Sequence, residues 1–299
     1  MNRILILSLV LLSISVRSQI VRIDSGSNWR KNFKAAINLN QASFSSNWKS
    51  GGVNSIGFNT MVNYKANYKS ATTTWDNEID FLYGMVNNAG QGYRKTLDRI
   101  YLDTKYGTKL NDKWDMFVAT NFLTQIAPGY KYSLDPSGVE KATRISGFLA
   151  PGFLTTSFGF EYRPKKYFSL RLSPFAPRLT FVKNSEDYTA VDPIAPYGVK
   201  VGESIRYEWL SAQVLADFNK DIATNINLKF RYMMFANYET LSLKTIDQRL
   251  DLNLTAKVNR FINVSIGSIL LYDLDQDSDL QLSQAFSLGI LYTFRNFEK

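Results

Sequence analysis

The chain has 299 residues, 45% of them hydrophobic and 14% aromatic, carries a formal net charge of +9, and contains neither His nor Cys. The missing His removes Ser-His-acid triads, the His-dependent barrel lipases and proteases, and His-ligated metals; the missing Cys removes disulfide-stapled folds and a lipoprotein anchor. The basic excess is spread along the chain, so it is not the footprint of a nucleic-acid binder, and it suits anionic headgroups or anionic solutes.

Met1-Asn-Arg3, an apolar run over 4–16 broken only by serines, and Val16-Arg17-Ser18 before Gln19 predict a signal peptide at 1–18, cleaved near Ser18/Gln19. No later run is apolar for the length of a spanning helix, and mean hydropathy is -0.19. Hydrophobicity alternates instead, and residues 19–299 read as one domain of strands.

The first predicted strand, 33–44, sets Phe33, Ala35, Ile37 and Leu39 against Asn32, Lys34, Asn38 and Asn40. The second, 56–68, sets Phe58, Val62, Tyr64 and Tyr68 against Asn59, Asn63, Lys65 and Asn67. The third, 75–85, places Trp75, Ile79 and Phe81 opposite Asp76, Glu78 and Asp80. The fourth, 95–106, places Ile100, Leu102 and Tyr106 opposite Lys95, Arg99, Tyr101 and Asp103. A fifth at 114–126, led outward by Trp114, is followed by a loop at 127–145 and a sixth at 148–162 bearing Phe148, Ala150, Phe160 and Tyr162. The seventh, 167–182, contains Pro174 and Pro177, which predict a bulge or an early exit because Pro cannot donate to a ladder. After a long loop at 183–203 come strands near 210–218, 226–234 (Arg231 inward), 246–258 (Asp247, Arg249 and Asp251 inward) and 262–272. The last, 282–294, alternates Leu282, Phe286, Leu288, Ile290, Tyr292 and Phe294 with small or polar residues.

A period of two with apolar faces this long defines an all-β class: a transmembrane antiparallel β-barrel of about twelve strands, with short periplasmic turns and longer extracellular loops. Both termini then fall in the periplasm, and Tyr68, Trp75, Tyr106, Trp114, Tyr162 and Phe294 are expected to form a periplasmic aromatic girdle. The predicted location is integral to a Gram-negative outer membrane, in contact with its lipids, with the last strand addressing the barrel-assembly machinery.

Several landmarks are distinctive: Gln41-Ala-Ser-Phe-Ser-Ser-Asn-Trp-Lys-Ser-Gly-Gly-Val-Asn-Ser55, Trp75-Asp-Asn-Glu-Ile-Asp80, Phe148-Leu-Ala-Pro151, and Leu172-Ser-Pro174 before Arg178-Leu-Thr180. Together they resemble an exported Bacteroidota family of unknown function (domain of unknown function 3078). The resemblance implies an outer-membrane location in that phylum. It carries no activity, so no functional residue transfers from it.

The candidate site is a lumen charge cluster of Asp76, Glu78, Asp80, Lys65, Lys95, Arg99, Arg231, Asp247, Arg249 and Asp251. Its bland reading is acid–base pairing between adjacent strands, with Lys65, Lys95 and Arg99 as partners of the three acids; its functional readings are a cation-selective ring or a carboxylate pair. Asp273, Asp275, Asp277 and Asp279 have oxygen-rich spacing but lack the EF-hand Gly, so a solvated loop is the expectation and no metal or cofactor is predicted. The function expected is a narrow pore or small-solute transporter with a charged lumen. The alternatives are a non-conducting structural or partner protein of the envelope and, third, a His-free enzyme.

Overall fold

The computed structural model describes residues 27–43, 45, 53–259 and 261–297. The predicted signal peptide and the loop bearing Asn47, Trp48, Gly51 and Gly52 lie outside them. The strands are β1 (Trp29–Ala42), β2 (Ser55–Lys69), β3 (Thr73–Asn88), β4 (Gly92–Lys109), β5 (Trp114–Thr124), β6 (Gly129–Leu134), β7 (Glu140–Ser146) and β8 (Gly152–Lys165). They continue as β9 (Phe168–Phe175), β10 (Arg178–Phe181), β11 (Ile205–Glu208), β12 (Ser211–Ala223), β13 (Ile226–Asn237), β14 (Asp247–Lys257), β15 (Ile262–Asp273) and β16 (Asp277–Arg295).

Hydrogen bonding joins β8-β5-β4-β3-β2-β1-β16-β15-β14-β13-β12-β9, and β9 pairs back onto β8, so twelve antiparallel strands close into a barrel. Closure leaves no sheet edge in the ring, which is what a spanning sheet requires in hydrocarbon. β10 continues β9 beyond Ala176-Pro177 and pairs with the start of β8, while β11 leads into β12 and pairs with β10. The predicted seventh strand is therefore broken in two, and the eighth is preceded by the short extra strand β11. Pro177 sits at the break and contributes only its carbonyl, which accepts from Thr156 N–H.

The two faces are inverted relative to a water-soluble protein. On β16, Phe286, Leu288 and Ile290 are 62%, 51% and 62% exposed, while Ser287 between them is buried. Asn38, Asn63, Asp80, Asp103, Lys105, Asp115, Glu161 and Arg231 are buried on the inner face of their strands. A closed sheet that shows its apolar side chains outward and hides its charges has hydrocarbon, not water, as its exterior solvent. No helix among the described residues is long and apolar enough to cross a membrane; the strands cross it. Across β14, β15 and β16 the outward row Leu254–Ile266–Phe286 is in register. Ile266→Arg on that row is expected to cost about 2–4 kcal/mol near the bilayer midplane, and Asn253→Arg on the inner face much less. Urea unfolding in lipid vesicles reads this directly, and equal losses would contradict the assignment of faces.

Four details depart from the sequence reading. β1 begins at Trp29 rather than Phe33, because residues 29–32 pair with the end of β2 and Asn32 with Arg295. The predicted loop 127–145 contains a separate hairpin, β6–β7. Phe148 and Ala150 stand before β8 in a turn, where Ala150 is fully buried under a loop core instead of facing outward. The β3–β4 connection shrinks to three residues because Gly90 and Gly92 adopt φ of 83° and 70°, which L-residues with side chains avoid.

One end of the barrel holds the start of β1, the end of β16 and the short turns and is called the terminal end below. The other, the loop end, carries the longer connections. There Val182, Tyr188, Tyr197 and Val199 pack with Ala150 into a small apolar core. Tyr197 donates its hydroxyl to the Ile145 carbonyl, and burial pushes that hydroxyl's pKa up. Asp192 is held below the usual carboxylate range by the N–H groups of Ala195 and Ile194. Arg94 binds Glu140 at 2.5 Å and lies over Tyr132, and Arg206 pairs with Asp275, so the hairpin and the long loop are both tied to the barrel rim.

Candidate functional site: a charge-bridged lumen

Alternation places every second side chain of each strand inside, and the barrel order decides which strands face each other. In a ring of twelve, the opposite strand is six places away. β3 stands opposite β13, and β4 opposite β14. Glu78 on β3 accepts from Arg231 on β13 at 2.7 Å, and Arg99 on β4 meets Asp251 on β14 at 3.0 Å. Both pairs thus cross the whole lumen. Lys229 on β13 adds contacts of 3.6 Å to both Glu78 and Asp80.

Those bridges constrain the barrel's shape. Twelve strands about 4.8 Å apart and tilted about 40° make a circumference near ~75 Å, hence a circular section about 24 Å across. An extended Arg and Glu with the hydrogen bond between them reach about 15 Å. The section is therefore oval, pinched along the line from β3 and β4 to β13 and β14.

The pinch divides the interior into unlike halves. Between β4, β5, β8, β9 and β12 the space is filled. Phe117, Ala119 and Leu215 are buried there beside a dense ion network. Lys105, 1% exposed, reaches Asp76 at 2.9 Å and also pairs with Glu161, 2% exposed. Arg163 pairs with Asp115 and stands 3.3 Å from Glu161, and Arg171 binds Asp103 through two hydrogen bonds of 3.0 and 2.9 Å. Four acids share three bases there, so each base serves more than one carboxylate.

Between β2, β1, β16 and β15 the space is open. It forms a cavity of about 540 Å³ lined by Asn38, Asn59, Asn253, Asn263, Ser265 and Ser287 among others. Toward the loop end a second cavity of about 160 Å³ shares Leu82, Leu97, Leu123, Met233 and Ile269 with the first, together with Arg99 and Arg249. The five luminal apolar side chains form a collar between the two spaces. Above it Arg178 bridges to Asp247 at 2.7 Å, with its guanidinium 3.2 Å from the Phe235 ring centroid.

Most of the residues expected in the lumen cluster meet there. Lys65 pairs with its cross-strand neighbour Glu78 at 3.2 Å, Arg99 with Asp80 at 2.7 Å, and Arg249 with Asp251 at 2.9 Å. Lys95 does not join them: its ammonium serves Asp98, Gln125 and the Ala127 carbonyl at the loop end, because a bulge between Lys95 and Leu97 sets it in register with Met85 and off the inner face. Asp247 likewise sits apart with Arg178. Arg231 is bound by Glu78 and by Asp217 at 2.8 Å, not by Asp251, its partner in register. Lys105, Glu161, Arg163, Arg171, Asp217 and Lys229 were missed, although all but Arg163 were legible by parity within their strands.

The aromatic residues gather outside the terminal end. Trp29, which precedes the first predicted strand, packs 5.4 Å from Tyr68 and 5.7 Å from Trp75. Trp75 faces Tyr106 across β3–β4, Trp114 lies 4.9 Å from Tyr162, and Phe294 is paired in register with Phe33. Of the Asp273–Asp279 series, Asp273 ends β15 and caps its own turn, whereas Asp277 and Asp279 belong to β16.

The fold and this interior define a transmembrane β-barrel with a charge-bridged lumen. Over residues 39–130 the chain matches the model of a protein family of unknown function, DUF3078. Among solved structures it is similar to the COG4313 outer membrane channel from Pseudomonas putida F1, at 8% identity over 90% of this chain and 96% of that one, with a TM-score of 0.39. It is similar to the NanC porin at 9% identity over 90% and 100%, with a TM-score of 0.38. The translocator domain of autotransporter NalP from Neisseria meningitidis matches at 9% over 90% of each chain, with a TM-score of 0.36. Comparison with curated proteins finds no match.

Proposed function

We propose that the protein is a narrow outer-membrane pore for small solutes, with the terminal end in the periplasm and the long loops outside the cell. The observation that carries this reading is the open half of the lumen. A barrel built only as a structural element has no need to line about 540 Å³ with amides, hydroxyls and cations while packing its other half solid. The charge bridges narrow the path without filling it. The aromatic cluster at the terminal end serves as the interfacial anchor, the outward rows contact outer-membrane lipid, and β16 is the strand offered to the barrel-assembly machinery.

The test is conductance of the purified, heat-modifiable barrel in planar bilayers, with the reversal potential measured in a KCl gradient. Small, reproducible steps are expected. A folded barrel that conducts nothing and lets no solute into vesicles would favour the non-conducting envelope role instead.

A further inference from the structure

The open cavity has two chemically distinct regions. Toward the terminal end it is lined by Lys34, Lys65, Lys229 and Lys257. The charges that act most strongly on Lys34 are all cations: Lys229, Lys65, Arg295 and Lys257. Among the described residues no carboxylate lies within 4.0 Å of Lys34 or Lys257. The acids that line the space are already engaged: Asp80 by Arg99 and Lys229, Asp251 by Arg249 and Arg99, and Asp221 by Asn227. Lys34 and Lys65 on one side and Lys229 and Lys257 on the other set four like charges at one end of the cavity; Glu78 and Asp80 compensate Lys65 and Lys229, which leaves Lys34 and Lys257 for an entering counter-charge. At its other limit the same cavity ends on the apolar collar of Leu82, Leu97, Leu123, Met233 and Ile269. On β13 the two regions are four residues apart, from Lys229 to Met233, or about 13 Å along the strand.

We propose that this cavity binds an amphipathic organic anion, a carboxylate carrying an apolar body of several carbons. The carboxylate sits among Lys34, Lys257 and Lys229, and the apolar body lies against the collar. The polar Asn and Ser wall between them accommodates water. A small inorganic anion satisfies the lysines but gains nothing from the collar, and a cation is repelled at the terminal end. This assignment rests on the pore reading for its physiological meaning, but binding can be measured without conduction.

Isothermal titration of the folded full barrel in non-ionic detergent, with micelle-only blanks, should show saturable binding of 4-phenylbutyrate. Acetate, which lacks the body, and 4-phenylbutylammonium, which reverses the charge, should both bind much more weakly. Lys34→Gln/Lys257→Gln should weaken 4-phenylbutyrate about tenfold or more, as loss of charge-assisted contacts predicts, while the gel shift on heating reports intact folding. Met233→Ser should weaken it too and leave acetate unchanged. Equal binding of the carboxylate and the ammonium, or a double variant that binds like wild type, would overturn the assignment. A barrel that binds 4-phenylbutyrate as expected but conducts nothing would sink the pore reading and leave the site standing.

Discussion

Lys105→Met is expected to lower the stability of the barrel by about 3–5 kcal/mol, the usual cost of removing one partner from a buried ion pair. Lys105 is the base that Asp76 and Glu161 share, and it is 1% exposed. Without it, Arg163 and Arg171 must compensate Asp76, Asp103, Asp115 and Glu161 in a half of the lumen with little room for water. Urea unfolding in vesicles measures the loss. Lys105→Met/Glu161→Gln should recover part of it, since the second change removes the most buried orphaned charge. A single-variant cost below about 1 kcal/mol would mean the network is hydrated like a surface pair.

Arg99→Ala/Arg231→Ala is expected to raise unitary conductance several-fold. These two arginines carry the bonds from β4 to β14 and from β13 to β3, and shortening both removes the pinch. Glu78, Asp80 and Asp251, left with Lys65, Lys229 and Arg249 as their remaining partners, would then be less fully compensated than before, so the reversal potential should move toward cation selectivity. The complementary variant, Asp76→Asn/Glu78→Gln/Asp80→Asn, leaves cations behind and should move it toward anions. Opposite signs from the two variants locate the selectivity at the bridges. No change in either would place the conducting path away from them.

The strand faces and the strand number were legible in the sequence because a period of two is local: Asp76, Glu78 and Asp80 share a face whatever surrounds them. The pairing of Lys65 with Glu78 was legible for the same reason, since the two are opposed across one hairpin. Arg231 with Glu78 was not seen, although the count of twelve already contained it, since the third and ninth strands of such a ring face one another. What the sequence could not supply was height, which depends on how far each strand slides along its neighbour. Nor could it supply a change of face within a strand: the slip at Gly84 and Met85 sets Lys95 opposite Met85 and takes it off the face of Arg99. Trp29 was missed because Arg30 and Lys31 beside it mask the alternation. The β6–β7 hairpin was missed because the short Tyr130–Tyr132–Leu134 alternation of β6 is not answered by an apolar face on β7. The collar escaped notice because Leu82, Leu97 and Leu123 look like lipid-facing residues until parity puts them inside.

The seam between β1 and β16 sets the order in which this protein can come into being. Lys31 N–H donates to Asn296 across 265 positions, and the ladder above it runs from Asn32–Arg295 to Leu39–Leu288. Inside that seam Gly289 has no room for a side chain, because a Cβ there would strike Asn38 and the Ile37 carbonyl. Every other barrel neighbour can be recruited as the chain emerges, but this contact waits for the final strand. Until then β1 holds an unmatched row of N–H and C=O groups, the kind of edge that recruits other chains. So late a closing contact is the most non-local in the ring and slows its closure, and a chain cut anywhere before β16 keeps two open edges.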